Sequence, residues 1–181
     1  MKKIVLTFGS ISGIITGGML LLTGPSMFDM DNSNGALIGY TTMVIALSTI
    51  FIGIKMYRDK YLGGAIKFGR AFLLGIYISL LGSFIYAAGW ELTLAVNDLD
   101  PMMFMQKYAE GEARKLAGAG MSEAEIAEKS TAMLEQWQWY ANPILRFLWT
   151  MIFEMFFVGV VISLICAGIL RKKEALPAQA S

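Results

Sequence analysis

Four stretches of this chain are long and apolar enough to cross a bilayer, and its basic residues gather on one side of them. Ile4–Phe28, Gly35–Ile54 and Ala71–Trp90 carry no charge, and Phe147–Leu170 carries one, Glu154. A helix needs roughly 20 residues to span the hydrocarbon core. Unpaired backbone groups are too costly in lipid for any other single-segment solution. The fold expected is therefore all-α: an integral membrane bundle of four transmembrane helices, with spans at about 4–25, 35–56, 70–95 and 144–170. The whole chain, 1–181, is one membrane domain.

Charge sets the expected orientation. The net formal charge of +1 conceals a segregation. Lys2 and Lys3 precede the first span, the loop 55–70 holds Lys55, Arg58, Lys60, Lys67 and Arg70 against Asp59 alone, and Arg171, Lys172 and Lys173 follow the last span. On the other side are Asp29 and Asp31, and then residues 98–142, with eight acidic and four basic residues. Positive charge marks the cytoplasmic side, which places both termini and the 55–70 loop there. Lys2-Lys3 before an apolar run also resembles a secretory signal. The run is too long and has no small-x-small site before Gly24-Pro25, so an uncleaved first span is expected.

Small residues recur along the spans. Gly9, Gly13 and Gly17 lie at four-residue spacing, Gly35 and Gly39 repeat it, the third span has Gly75, Ser79, Gly82, Tyr86 and Gly89, and the fourth has Gly159, Ser163 and Ala167. In lipid, where hydrophobicity does not drive helices together, such residues let backbones approach closely. Each span is thus expected to offer a small-residue face. Between spans three and four, Asp98–Pro101 turns the chain and a helix is expected from Met102 to about Leu116. Gly118-Ala119-Gly120 breaks it. Ser122 and Glu125 form a capping box for a second helix, with Ile126, Met133, Leu134, Trp137 and Tyr140 as its apolar stripe and Asn142-Pro143 as its end. The result is an extracytoplasmic helical hairpin, with Trp137, Trp139 and Tyr140 in the aromatic belt.

The run GYTTMV at 39–44, GIKMYRD at 53–59, Gly63-Gly64, IKFGRAF at 66–72, the Trp90-Glu91 pair and the glutamate in the closing span resemble the bacterial membrane family catalogued as domain of unknown function 4199. The resemblance covers nearly the whole chain, and YRD…GG…FGRAF is its most specific part. It implies a multi-pass, four-helix protein of the bacterial inner membrane and no activity. Tyr57, Arg58, Asp59, Gly64, Phe68, Gly69, Arg70, Trp90, Glu91 and Glu154 carry over as family-like positions without roles.

Few residues could carry chemistry. The chain has no histidine and a single cysteine, Cys166, inside the last span, which removes the commonest metal ligand and general base. No nucleophile has a positioned base, so no enzyme is expected. Topology accounts for the basic residues, so no nucleic-acid partner is expected either. Met102, Met103 and Met105 are soft ligands suited to copper(I), but no histidine or cysteine accompanies them, and interfacial packing explains them better; no cofactor is expected. Glu154 is the exception. A carboxylate in a span costs about 2.5–3.5 kcal/mol, and counting back from Arg171 puts it about 25 Å from the cytoplasmic boundary.

The candidate polar network is Glu91, Arg146, Glu154, Trp90 and Tyr86. It comprises a Glu91–Arg146 ion pair and a Glu154 hydrogen bond to Tyr86, Trp90 or Thr150. At 100° per residue Glu154 points away from Ser163 on the same helix, which suggests a homo-oligomer or a membrane-protein partner covering one face. Arg58, Lys60, Lys67 and Arg70 are the candidate cytoplasmic contact for an anionic lipid or partner. The function expected is that of a non-enzymatic accessory or scaffold protein; the alternative is a small transporter or channel component with an outer-facing polar cavity at Glu154 and Glu91.

Overall fold

The computed structural model describes residues 1–27 and 35–172. Asp29 and Asp31, with Lys173, fall outside them. The described residues are almost entirely helical and include no strand; the one β feature is an isolated antiparallel bridge between Ile66 and Lys172. The elements are α1 (Lys2–Met27), α2 (Gly35–Tyr61), α3 (Phe68–Val96), α4 (Pro101–Gly118), α5 (Glu123–Gln136), a 3-10 turn (Gln138–Ala141) and α6 (Pro143–Leu170). Four of them, α1, α2, α3 and α6, are long and apolar enough to cross a membrane, the architecture of a multi-pass membrane protein. Their surfaces fit that solvent: Leu22 is 82% exposed and Leu37 and Ile169 are each 67% exposed, a distribution soluble monomers avoid over large areas. The bundle has a basic end, where α2 ends and α3 begins, and an insert end, where α4 and α5 sit.

Helix α3 is central and packs against α1, α2 and α6. Its contact with α1 is backbone on backbone. A Cβ added at Gly13 would lie 2.5 Å from the Ile85 Cβ and 2.9 Å from the Gly82 carbonyl, and one at Gly89 would lie 2.7 Å from the Gly17 Cα. Across α3 and α6, a Cβ at Gly75 would come 2.6 Å from Ser163 Oγ and one at Gly159 would come 2.6 Å from the Ser79 Cβ. Ser79 and Ser163 Oγ sit 3.3 Å apart in that seam. The core around it is Leu47, Ile50, Ile54, Leu74, Ile78 and Met155, all fully buried.

In α2 the small-residue expectation fails at Gly39, around which a Cβ would meet nothing within 4 Å. Gly53 takes that part instead, beside Ile78 and Phe8, because the face of α2 turned inward is the one that carries Ala46, Ile50 and Ile54.

Two boundaries differ from the expected ones. Helix α2 continues to Tyr61, so Lys55, Arg58 and Lys60 lie on its last turns rather than in a loop. Nothing in the sequence breaks the helix before Gly63, and cations suit a helix C-terminus. Gly63 and Gly64 then take φ of +64° and +89°, a conformation that disfavours any side chain.

At the insert end, α5 stops at Gln136, and Trp137 and Tyr140 belong to the following turn. Asn142-Pro143 starts α6 instead of ending α5: Asn142 Oδ1 accepts from the backbone N–H of Ile144 and Leu145 at 3.0 and 3.2 Å, and Pro143 occupies the first helical position, where it has no N–H to waste.

Helices α4 and α5 touch each other. Asp100 caps α4 through the Met102 N–H at 2.8 Å, and Gly120, at φ +84°, turns the chain. The capping box of α5 is complete: Glu125 N–H donates to Ser122 Oγ, and Ser122 N–H donates to Glu125 Oε2. The Ser122 hydroxyl first, and its backbone N–H second, hold the Glu125 carboxyl below its ordinary value. A lowered carboxylate stabilises the fold above its unfolded pKa, and that contribution disappears as pH falls through the folded value. Protection of the α5 amides against hydrogen exchange, taken relative to the intrinsic rate at each pH, should therefore fall on acidification below the ordinary glutamate range, and Glu125→Gln should flatten the dependence. An equal acid response in the variant would remove the capping box as its cause.

Candidate functional site

Arg146, Thr150 and Glu154 lie along one side of α6, and at 3.6 residues per turn Tyr86 and Trp90 form one stripe on α3 with Glu91 beside them. The two sets meet at the insert end. Arg146 grips Glu91 with both arms of its guanidinium, Nε to Oε1 at 2.8 Å and Nη2 to Oε2 at 2.6 Å. Its remaining arm, Nη1, donates to the Tyr140 carbonyl at 2.9 Å. The Arg146 side chain is 7% exposed and that of Glu91 27%, so the pair is shielded and its two parallel bonds are strong and directional. The Arg146 guanidinium carbon also lies 5.7 Å from the centre of the Tyr140 ring.

A second chain of contacts runs from Tyr140 to Glu154. Trp90 Nε1 donates to Tyr140 Oη at 3.0 Å, and the Tyr140 hydroxyl also meets Thr150. Thr150 Oγ1 donates to Glu154 Oε1 at 3.4 Å, and Tyr86 Oη donates to Glu154 Oε2 at 3.1 Å. Burial first, and the nearby Glu154 carboxylate second, push the Tyr140 hydroxyl above the ordinary phenol range. Trp137, Trp139 and Trp149 brace this end, with ring centres 5.2–5.3 Å apart, and Phe153 stacks on Trp149 at 4.4 Å.

Glu91, Arg146, Glu154, Tyr86 and Trp90 thus lie in one connected region, with Trp90 bonded to Tyr140 and not to Glu154. Tyr140 joins both halves of the network. At its place in the apolar stripe of the expected second helix, the one signal for it in the sequence is a hydroxyl beside Trp137 and Trp139.

The helical-wheel expectation for α6 is overturned. Thr150–Phe156 is π-helical, and its wider turn takes out part of the phase difference between Glu154 and Ser163. Glu154 bonds Tyr86 while Ser163 contacts Gly75 and Ser79, so both residues face α3. Glu154 and Ser163 therefore do not mark two opposite faces of the helix, and their spacing carries no argument about an oligomer or a partner.

The basic candidates separate into two kinds. Arg58 is committed to protein: Nε donates to Asp59 Oδ1 at 2.6 Å and Nη1 to the Leu170 carbonyl, the last of α6, at 3.3 Å. Lys60, Lys67 and Arg70 are exposed. Among the described residues no group of three or more histidine, cysteine, aspartate or glutamate side chains is placed to hold a metal ion. Met103 is 45% exposed while Met105 is buried, so the methionines of α4 do not converge. A groove of about 270 Å³ lies on α4, lined by Tyr108, Gly111, Glu112, Arg114 and Lys115, none of them network residues.

No curated protein and no solved structure matches this chain. A family model described as a protein of unknown function (DUF4199) matches residues 7–172, which takes in the basic turn, the α4–α5 insert and every member of the polar network. The chain belongs to the DUF4199 family.

Proposed function

We propose that this protein is a non-enzymatic accessory or scaffold of the bacterial inner membrane that works through helix packing. Its basic end faces the cytoplasm and its insert end the outside. One observation carries the proposal: all four carboxylate oxygens of Glu91 and Glu154 are taken by protein donors. A transport or channel component would present such an oxygen to its substrate; here the carboxylates hold α3, the 3-10 turn and α6 in register. The glycine contacts of α1 with α3 support the same view, since close-packed backbones resist the rocking that alternating access requires.

Glu154→Gln tests it. The amide turns one acceptor into a donor facing a hydroxyl, and a loss of about 1–2 kcal/mol lowers steady-state abundance several-fold. Reduced abundance in membranes, with a stoichiometric protein companion retained by the wild type in polymer nanodiscs, is the expected outcome. Normal abundance with a lost solute or ion flux in proteoliposomes would sink the accessory role.

A further inference from the structure

We infer that the basic end forms a binding surface for the headgroup of an anionic phospholipid, built from Lys60, Lys67, Arg70 and Arg171. Orientation in the membrane explains why cations occur at this end, but not how they are arranged. The backbone bridge fixes the arrangement: Ile66 N–H donates to the Lys172 carbonyl at 3.0 Å, and Lys172 N–H donates to the Ile66 carbonyl at 2.9 Å. The end of α6 is thereby pinned to the α2–α3 turn, which brings Arg171 beside Lys67. Arg58 closes the clip from the other side through the Leu170 carbonyl. The one acid at this end among the described residues, Asp59, is held by Arg58 and lies within the electrostatic reach of Lys55 and Lys172. Lys60, Lys67, Arg70 and Arg171 are exposed, and no hydrogen bond or ion pair engages their side chains among the described residues. Among the described residues the surface is therefore cationic, with its one acid already neutralised.

Two aromatic pairs set the depth and so favour a lipid over a soluble acidic partner. Tyr57 stacks on Tyr61 at 5.6 Å and Phe68 on Phe72 at 6.1 Å. Tyr61 and Phe68, 56% and 40% exposed, directly adjoin Lys60 and Lys67. Exposed aromatic rings next to cations at the ends of spanning helices lie at headgroup level, where a lipid phosphate lies within reach of lysine and arginine side chains.

The test uses the full chain in nanodiscs of equal phosphatidylglycerol and phosphatidylcholine, released into detergent, with retained lipids identified by native mass spectrometry. Both leaflets contain both lipids, so the result does not depend on insertion direction. The wild type should retain phosphatidylglycerol selectively. At about 1 kcal/mol per cation near the surface, selectivity should fall about fivefold per charge removed, and on the order of a hundredfold in Lys60→Gln/Lys67→Gln/Arg70→Gln. The charge-conserving Lys60→Arg/Lys67→Arg/Arg70→Lys should keep it, as should Lys107→Gln/Lys115→Gln/Lys129→Gln at the other end. Equal retention of both lipids by the wild type, or unchanged selectivity in the first triple variant, would overturn the inference. So would equal loss in the insert-end variant. Retention of an acidic protein in place of lipid would overturn it in favour of that partner.

Discussion

Gly89→Leu is expected to destabilise the purified protein by more than about 3 kcal/mol, beyond the usual cost of overpacking. The clash begins at the first added atom, 2.7 Å from the Gly17 Cα and 3.3 Å from the Gly17 carbonyl carbon. Backbone cannot change rotamer to make room, so α1 must move away from α3 along its length. For a chain of this size each kcal/mol shifts the unfolding midpoint by about 2–4 °C, so a loss of roughly 6–12 °C should appear in a thermal scan in detergent. Gly18→Ala is the matched control. It adds a Cβ on the neighbouring residue of α1 where nothing lies within 4 Å, and should leave the midpoint unchanged or raise it slightly through helix propensity. Similar losses in both variants would mean that glycine in these helices matters for something other than the α1–α3 contact.

The second large effect concerns the ion pair. Glu91→Leu leaves the Arg146 guanidinium, 7% exposed at the side chain, with the Tyr140 carbonyl as its remaining partner among the bonds described above. Removing one member of a buried pair costs about 3–5 kcal/mol, because the other charge stays desolvated without compensation. Arg146→Leu should cost less than Glu91→Leu, since Glu91 is the more exposed of the two and can reach water. Glu91→Leu/Arg146→Leu should cost less than Glu91→Leu alone, as two apolar side chains leave no charge unpaired. A double-mutant cycle on thermal unfolding measures this directly. Additive losses would show that the two residues act independently and that their contact adds nothing to stability.

The spanning helices were legible in the sequence because the bilayer is an unforgiving solvent. An uncharged run of sufficient length has one low-energy outcome there, and Ile4–Phe28, Gly35–Ile54 and Ala71–Trp90 contain no residue that offers another. The Ser122–Glu125 capping box was legible for a related reason: both of its bonds lie within four residues, so local sequence suffices.

Glu91 and Arg146 could be matched by depth alone, since a buried charge needs a partner and few were available. Tyr140 could not, because its part depends on Trp90, fifty positions earlier in the chain. The direction of Glu154 depended on a π-helical stretch that no local pattern announces. Likewise, charge counting places Lys67 and Arg171 at the same end, but the Ile66–Lys172 bridge makes them neighbours.

The amino-acid sequence by itself determined the number of helices long and apolar enough to span and the segregation of charge along the chain, because these follow from the free energy of moving each segment from water into lipid. Only the tertiary structure decided which glycines touch backbone, which carboxylate meets which hydroxyl, and which cations stay exposed, because these depend on the relative rotation and depth of helices that already satisfy their own hydrogen bonds.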